Sequence, residues 1–228
     1  RVIVFRGSDI AAGKGVNGVT GQGVLVSFFG IQDPNFRGGA RTAVGDFNGD
    51  GFADVAVAAG FGGGPRISVW DGKSLATGSA PANPFANFFA FEDALRNGAF
   101  VGVGDVNGDR VADLVLGGGP GGGPRVRIVD GASLIRLGGF GALDGNLASA
   151  QLANFFSGDP ASTGGVYVAA ADLDEDGLAE VISGSGDGQR GVVRVYLGSQ
   201  ALSAPSNPTI SDSLAPFDAN LLFGVYVG

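Results

Sequence analysis

Gly62-Gly63-Gly64-Pro65-Arg66-Ile67-Ser68-Val69-Trp70-Asp71-Gly72 returns almost unchanged as Gly121-Gly122-Gly123-Pro124-Arg125-Val126-Arg127-Ile128-Val129-Asp130-Gly131. A third copy is Val192-Val193-Arg194-Val195-Tyr196-Leu197-Gly198, and Arg1-Val2-Ile3-Val4-Phe5-Arg6-Gly7 is a fourth without its leading glycines. Aligned on these segments the steps are 65, 59 and 67 residues, a period belonging to repeat architectures. Val2/Val4, Ile67/Val69, Val126/Ile128 and Val193/Val195 alternate with other residues, as a strand with one buried face requires.

Other elements keep the same phase. Phe28-Phe29, Phe88-Phe89 and Phe155-Phe156 each precede an acidic loop, and those loops begin at Asp46, Asp105 and Asp172. In the middle repeat the pattern predicts strands over roughly 99–105, 113–117, 125–130 and 153–157, bounded by Gly, Pro, Asn or Asp. No helical period of useful length is visible, and 131–152 is the longest connection, expected as an exposed loop. Asp54-Val55-Ala56-Val57-Ala58 and Asp113-Leu114-Val115-Leu116 are apolar on both faces, as strands lying between two other sheets must be. Four short strands per unit predict an all-β β-propeller built from four-stranded blades, about 3.5–4 of them here. As one propeller segment over 1–228, the blades fall at 1–39 (partial), 40–98, 99–164 and 165–222, with the next beginning at 223–228.

Composition agrees. Gly (44) and Pro (10) make up about 24% of 228 residues, near the level of disordered chains, but the 44% apolar fraction supports a packed core. There is no Lys/Arg-rich stretch and the net charge is −8, which argues against nucleic acid and against insertion into a membrane. Without Cys or His, thiolate nucleophiles, imidazole bases, disulfides and Cys/His zinc sites are excluded. Without Met, and with Arg first, the chain reads as a piece of something longer.

The acidic loops carry the chemistry. They are Asp46-Phe47-Asn48-Gly49-Asp50-Gly51-Phe52-Ala53-Asp54, Asp105-Val106-Asn107-Gly108-Asp109-Arg110-Val111-Ala112-Asp113 and Asp172-Leu173-Asp174-Glu175-Asp176-Gly177-Leu178-Ala179-Glu180. Each sets oxygen side chains at positions 1, 3, 5 and 9, with an apolar residue at 7 (Phe52, Val111, Leu178) whose carbonyl can also turn inward. Calcium takes six to eight hard oxygen ligands, and this spacing supplies them from one turn. Turn chemistry alone also favours Asp, Asn and Gly, so one copy would be ambiguous. Three copies in phase, each with an acid beyond the turn, favour up to three structural Ca2+ ions. An EF-hand would continue to a Glu at position 12, where Val57, Leu116 and Ser183 stand instead. Arg110 adds a positive charge where the other loops have glycine, which ranks the second loop weakest; the third, with acids at 1, 3, 5 and 9, ranks tightest.

On these loops, the Gly-Gly-Gly-Pro-Arg corners and the aromatic–glycine approach strands, the chain resembles the FG-GAP repeats of integrin-α-type β-propellers and their bacterial relatives. The resemblance implies a seven-bladed ring of which this chain is about half, with calcium between the first two strands of certain blades. Gly184-Ser185-Gly186-Asp187-Gly188-Gln189-Arg190 departs from the pattern at the third corner.

The function expected is a calcium-stabilised extracellular or cell-surface module, bacterial in type, with a protein or glycan ligand at its loop rim and no catalysis of its own. Its other partners are the remaining blades of the parent chain, or self-association. The alternative is a segment of a secreted carbohydrate-active enzyme or lectin propeller whose active site lies outside this chain. Trp70 shares the register of Val129 and Tyr196, which assigns it to packing, and Arg127 and Arg194 are expected as blade-face charges.

Overall fold

The computed structural model describes residues 1–15, 21–137 and 147–228. Strands β1 (Val2–Phe5) and β2 (Val24–Phe28) pair antiparallel. Three four-stranded antiparallel sheets follow, each a simple meander. They are β3 (Ala40–Gly45), β4 (Asp54–Ala59), β5 (Arg66–Trp70) and β6 (Ala86–Phe89); β7 (Ala99–Gly104), β8 (Asp113–Gly118), β9 (Arg125–Val129) and β10 (Gln151–Phe156); and β11 (Val166–Ala171), β12 (Glu180–Ser185), β13 (Val193–Tyr196) and β14 (Asp212–Leu214). Such sheets are consistent with propeller blades. Among the described residues no helix is long and apolar enough to cross a membrane.

The sheets stack face to face, and the alternation of side chains decides which neighbour each strand serves. In β4, Val55 and Val57 join Val2, Val26, Phe28 and Trp70, while Ala56 and Ala58 join Leu114, Leu116 and Val129 of the next sheet. Val115, Val126 and Ile128 turn the other way, onto Val166, Val168, Val181 and Tyr196. All six residues of β4 and of β8 are buried. Trp70 is 3% exposed, edge-on to Phe28, and its indole N–H donates to Gly30 O. The first strands β3, β7 and β11 lie side by side, so close that a Cβ on Gly102 would sit 2.9 Å from Ala169 Cα.

Two expectations are corrected. A short helix follows the third strand each time it occurs: α1 (Gly7–Ala11), α2 (Gly72–Ala76), α3 (Gly131–Leu137) and α4 (Gly198–Ser203). Helices of five to seven residues complete too few turns to show an apolar period, and Asp71 and Asp130 secure two of them by accepting from Ser74 N and Ser133 N. The connection after β9 therefore begins as a helix with Leu134 buried; residues 138–146 of it lie outside the described part. Arg127 and Arg194 are half-buried and bridge to the preceding sheet, donating to Ala90 O (2.6 Å) and Ser157 O (3.1 Å).

Antiparallel meanders put the connections between strands one and two, and three and four, at one end of each sheet. The acidic loops and the short helices thus share one rim. The glycine corners and sheet-to-sheet crossings share the other.

Candidate metal centres

Each acidic loop is wound by its own side chains. Asp46 accepts through Oδ1 from Gly49 N (2.7 Å) and Asp50 N (3.2 Å), and through Oδ2 from Gly51 N (2.8 Å). Asp105 accepts in the same way from Gly108 N and Arg110 N, both at 2.7 Å. Asp172 accepts from Gly177 N at 3.0 Å. At position 3, Asn48, Asn107 and Asp174 accept from the amides of Asp50, Asp109 and Asp176. At position 5, Asp50, Asp109 and Asp176 accept from the amides of Phe52, Val111 and Leu178. Asx-turn bonds therefore fix the oxygen side chains at positions 1, 3 and 5 of each loop.

The winding needs left-handed backbone at positions 4 and 6. Glycine supplies it at Gly49, Gly51, Gly108 and Gly177. Arg110 (φ 68°) and Glu175 (φ 63°) adopt it without that freedom, and they are the positive-φ non-glycine residues among those described.

The ninth-position acids stand differently. Asp54 and Asp113 are fully buried. Asp54 Oδ2 accepts from Phe47 N (2.9 Å) and Oδ1 from Gly72 N (2.7 Å); Asp113 repeats this with Val106 N (2.9 Å) and Gly131 N (3.0 Å). Glu180 Oε2 accepts from Leu173 N at 2.7 Å. Each thus ties its loop's second residue, and in two cases the start of the following helix, to the head of the second strand. A Cβ on Gly72 would lie 2.0 Å from Ala53 O, and one on Gly131 1.9 Å from Ala112 O, so the helix can begin there only with glycine. Sequence reasoning treated the ninth acid as a cation ligand alone. The Asp-Gly-x-Ser pattern of 71–74 and 130–133 is the signal by which the joined helix could have been found.

Electrostatics divide the two ends of a loop. Burial would raise the Asp46 carboxyl, but the amides of Gly51, Gly49, Asp50 and Asn48 outweigh it and hold the group below its ordinary range. Burial dominates at Asp54, raising it despite two amide donors, and pushes Asp113 up to about 7.

In the third loop the carboxylates of Asp172, Asp174 and Asp176 bring ligand oxygens within 4.8 Å of one another, all on exposed residues. Three like charges at that distance repel unless a cation or protons sit among them. The donors are hard oxygens, the set calcium takes. The first loop has asparagine at position 3 and Lys73 Nζ 3.8 Å from Asp50; the second has Asn107 and Arg110. At position 7, Phe52 is 42% exposed.

No curated protein matches the sequence. Among solved structures the chain is similar to rhamnogalacturonan lyase YesW (12% identity, TM-score 0.48) and to the exotype rhamnogalacturonan lyase YesX (13%, TM-score 0.47). These similarities cover 79% and 77% of this chain but 35% and 33% of the lyases, so it spans about a third of their length. The family model of the FG-GAP repeat matches residues 38–73, the stretch holding β3, the first acidic loop, β4 and β5. With that loop and its flanking strands in place, the chain carries an FG-GAP repeat at residues 38–73.

Proposed function

We propose that the chain is a calcium-stabilised propeller segment of a larger extracellular or cell-surface protein, in which the acidic loops hold structural Ca2+ on one rim and leave the other free to bind. The carboxylate cluster of Asp172, Asp174 and Asp176 is the observation that carries this reading. Asp46, Asn48, Asp50, Asp54 and the carbonyl of Phe52 would serve the first ion; Asp105, Asn107, Asp109, Asp113 and Val111 the second; and the three clustered aspartates with Glu180 and Leu178 the third. A bound divalent cation supplies charge compensation and a fixed loop shape. Three of them, adding two charges each, would take the net charge from −8 to −2.

Further blades, completing a seven-membered ring, would cover the open face of the last sheet. Leu173 is 55% exposed there, while its counterparts Phe47 and Val106 are 1% and 0%. Extracellular millimolar calcium suits exposed sites of modest affinity.

A melting curve with calcium and then with EDTA tests the scaffold. A site held at about 100 times its Kd adds about 2.7 kcal/mol, so chelation should lower Tm by about 5–10 °C. An unchanged Tm refutes the reading.

A second reading places the chain within a secreted carbohydrate-active enzyme or lectin whose active centre lies outside these residues. The polar and aromatic cleft on the glycine-corner rim favours it. Glycan and protein arrays bear on the choice: protein ligands alone count against the carbohydrate reading, whereas glycan ligands are compatible with both.

A further inference from the structure

Asparagine is followed by glycine at Asn48-Gly49, Asn97-Gly98 and Asn107-Gly108 among the described residues; Asn17-Gly18 lies outside them. Without a Cβ on the second residue, its backbone nitrogen can approach the asparagine side-chain carbonyl closely. The three pairs are held very differently. Asn97 Nδ2 donates to Pro120 O (2.9 Å) and Gly98 N to Gly63 O (3.0 Å), and a Cβ on Gly98 would lie 1.9 Å from Ala59 O. That pair is locked.

Asn48 and Asn107 both stand at position 3 of an acidic loop, and each accepts through Oδ1 from the amide two residues on. Asn107 has further restraints. It is half-buried, and its Nδ2 reaches Asp130 Oδ1 at 3.4 Å. Leu178, at position 7 of the third loop, lies over Gly108, where a Cβ would meet its Cδ2 at 2.8 Å. The residue at position 7 of the second loop is the shorter Val111, and a Cβ on Gly49 would meet nothing within 4 Å. Asn48 itself is exposed.

We propose that Asn48 is a self-modification site, at which deamidation rewrites the first acidic loop. Gly49 N attacks Asn48 Cγ and passes its proton to water; the Cγ–Nδ2 bond breaks and ammonia leaves. Water then adds to either carbonyl of the resulting succinimide ring and reopens it, so neither oxidant nor reductant is needed. One opening gives aspartate and places acids at positions 1, 3, 5 and 9, the set of the third loop. The other gives isoaspartate, which lengthens the backbone ahead of Gly49 and would draw the Gly49 and Gly51 amides off Asp46. Asp46 is the gate. Gly49 N donates to its Oδ1 at 2.7 Å, so the nucleophile is released only when the loop opens locally. A cation that keeps the loop wound slows the reaction; this effect rests on the calcium reading, whereas the order of the three asparagines does not.

Peptide mass spectrometry after incubation at mildly alkaline pH, in EDTA and in calcium, tests the site. Asn48 should convert about five-fold or more faster than Asn107, the worth of one additional hydrogen bond, with Asn97 slowest. Calcium should slow Asn48, and Val111→Leu, by covering Gly49, should bring it toward the rate of Asn107. In calorimetry Asn48→Asp should bind calcium at the first loop about ten-fold more tightly, through the added ligand charge. Conversion of Asn48 no faster than that of Asn107 or Asn97 overturns the modification site, and unchanged calcium affinity in Asn48→Asp overturns the rewriting. If neither protein binds calcium while Asn48 still converts first, the calcium reading falls and the modification site stands. Calcium binding with no preference for Asn48 does the opposite.

Discussion

Phe47 and Val106, the second residues of the first two acidic loops, are 1% and 0% exposed, whereas Leu173 at the same position of the third is 55% exposed. The difference runs through the backbone. Ala112 N donates to Asp46 O (2.9 Å) and Ala179 N to Asp105 O (2.6 Å), so each of the first two loops is fastened to the loop after it. Their ninth-position aspartates also hold the following helix, which Asp71 or Asp130 caps; α4 is preceded by Leu197, which makes no such cap. Two loops are therefore built into the packing between sheets. The third is shaped chiefly by its own carboxylates, and its need for a cation follows from the repulsion among Asp172, Asp174 and Asp176.

The largest expected effect separates the packed loops from the free one. Phe47→Ala should cost about 3–5 kcal/mol in urea unfolding, since a fully buried ring leaves a cavity. Leu173→Ala should change stability by about 0.5 kcal/mol or less. Similar losses would mean that the two loops do not differ in packing.

Next comes the ninth-position acid. Asp113→Ala orphans the amides of Val106 and Gly131 and should cost about 1–3 kcal/mol; Glu180→Ala, with one such amide, should cost less. The Asp113 carboxyl adds a pH signature. Its pKa is raised on folding from the ordinary value near 4 to about 7, so its contribution is fully present below about pH 4 and is lost as pH rises toward 7. Metal-free protein should therefore lose stability over that window, and calcium, which favours the ionised form, should reduce the loss. A flat metal-free profile in denaturant titrations would contradict the burial argument.

The smallest effects concern backbone strain. Arg110→Gly and Glu175→Gly relieve left-handed residues and should each gain about 1 kcal/mol. Arg110→Gly should also tighten calcium at the second loop, by removing a positive charge, and so narrow the gap between it and the third. No gain in thermal melting from either variant would show the loops to be unstrained.

Much of this was legible in the sequence, for identifiable reasons. The alternation at Ile67/Val69 and Val126/Ile128, and the two-faced apolar run of 54–58, express short-range geometry and a repeat that can be counted. The helices after the third strand were not legible by period, and their cue lay in Asp71-Gly72-Lys73-Ser74 rather than in hydrophobicity. The second duty of Asp54 and Asp113 depends on Gly72 and Gly131, 18 residues away in each case, and only folding brings those amides to the carboxylate. The role of Arg127 and Arg194 likewise depends on a carbonyl in another sheet.

Calcium titration calorimetry on the wild type beside Asp46→Ala, Asp105→Ala and Asp172→Ala tests the central claim most directly. Calcium should bind to the wild type, the tightest site should vanish in Asp172→Ala, and Asp105→Ala should remove the weakest. No calcium-dependent heat in the wild type, or equal losses in all three variants, would contradict the account.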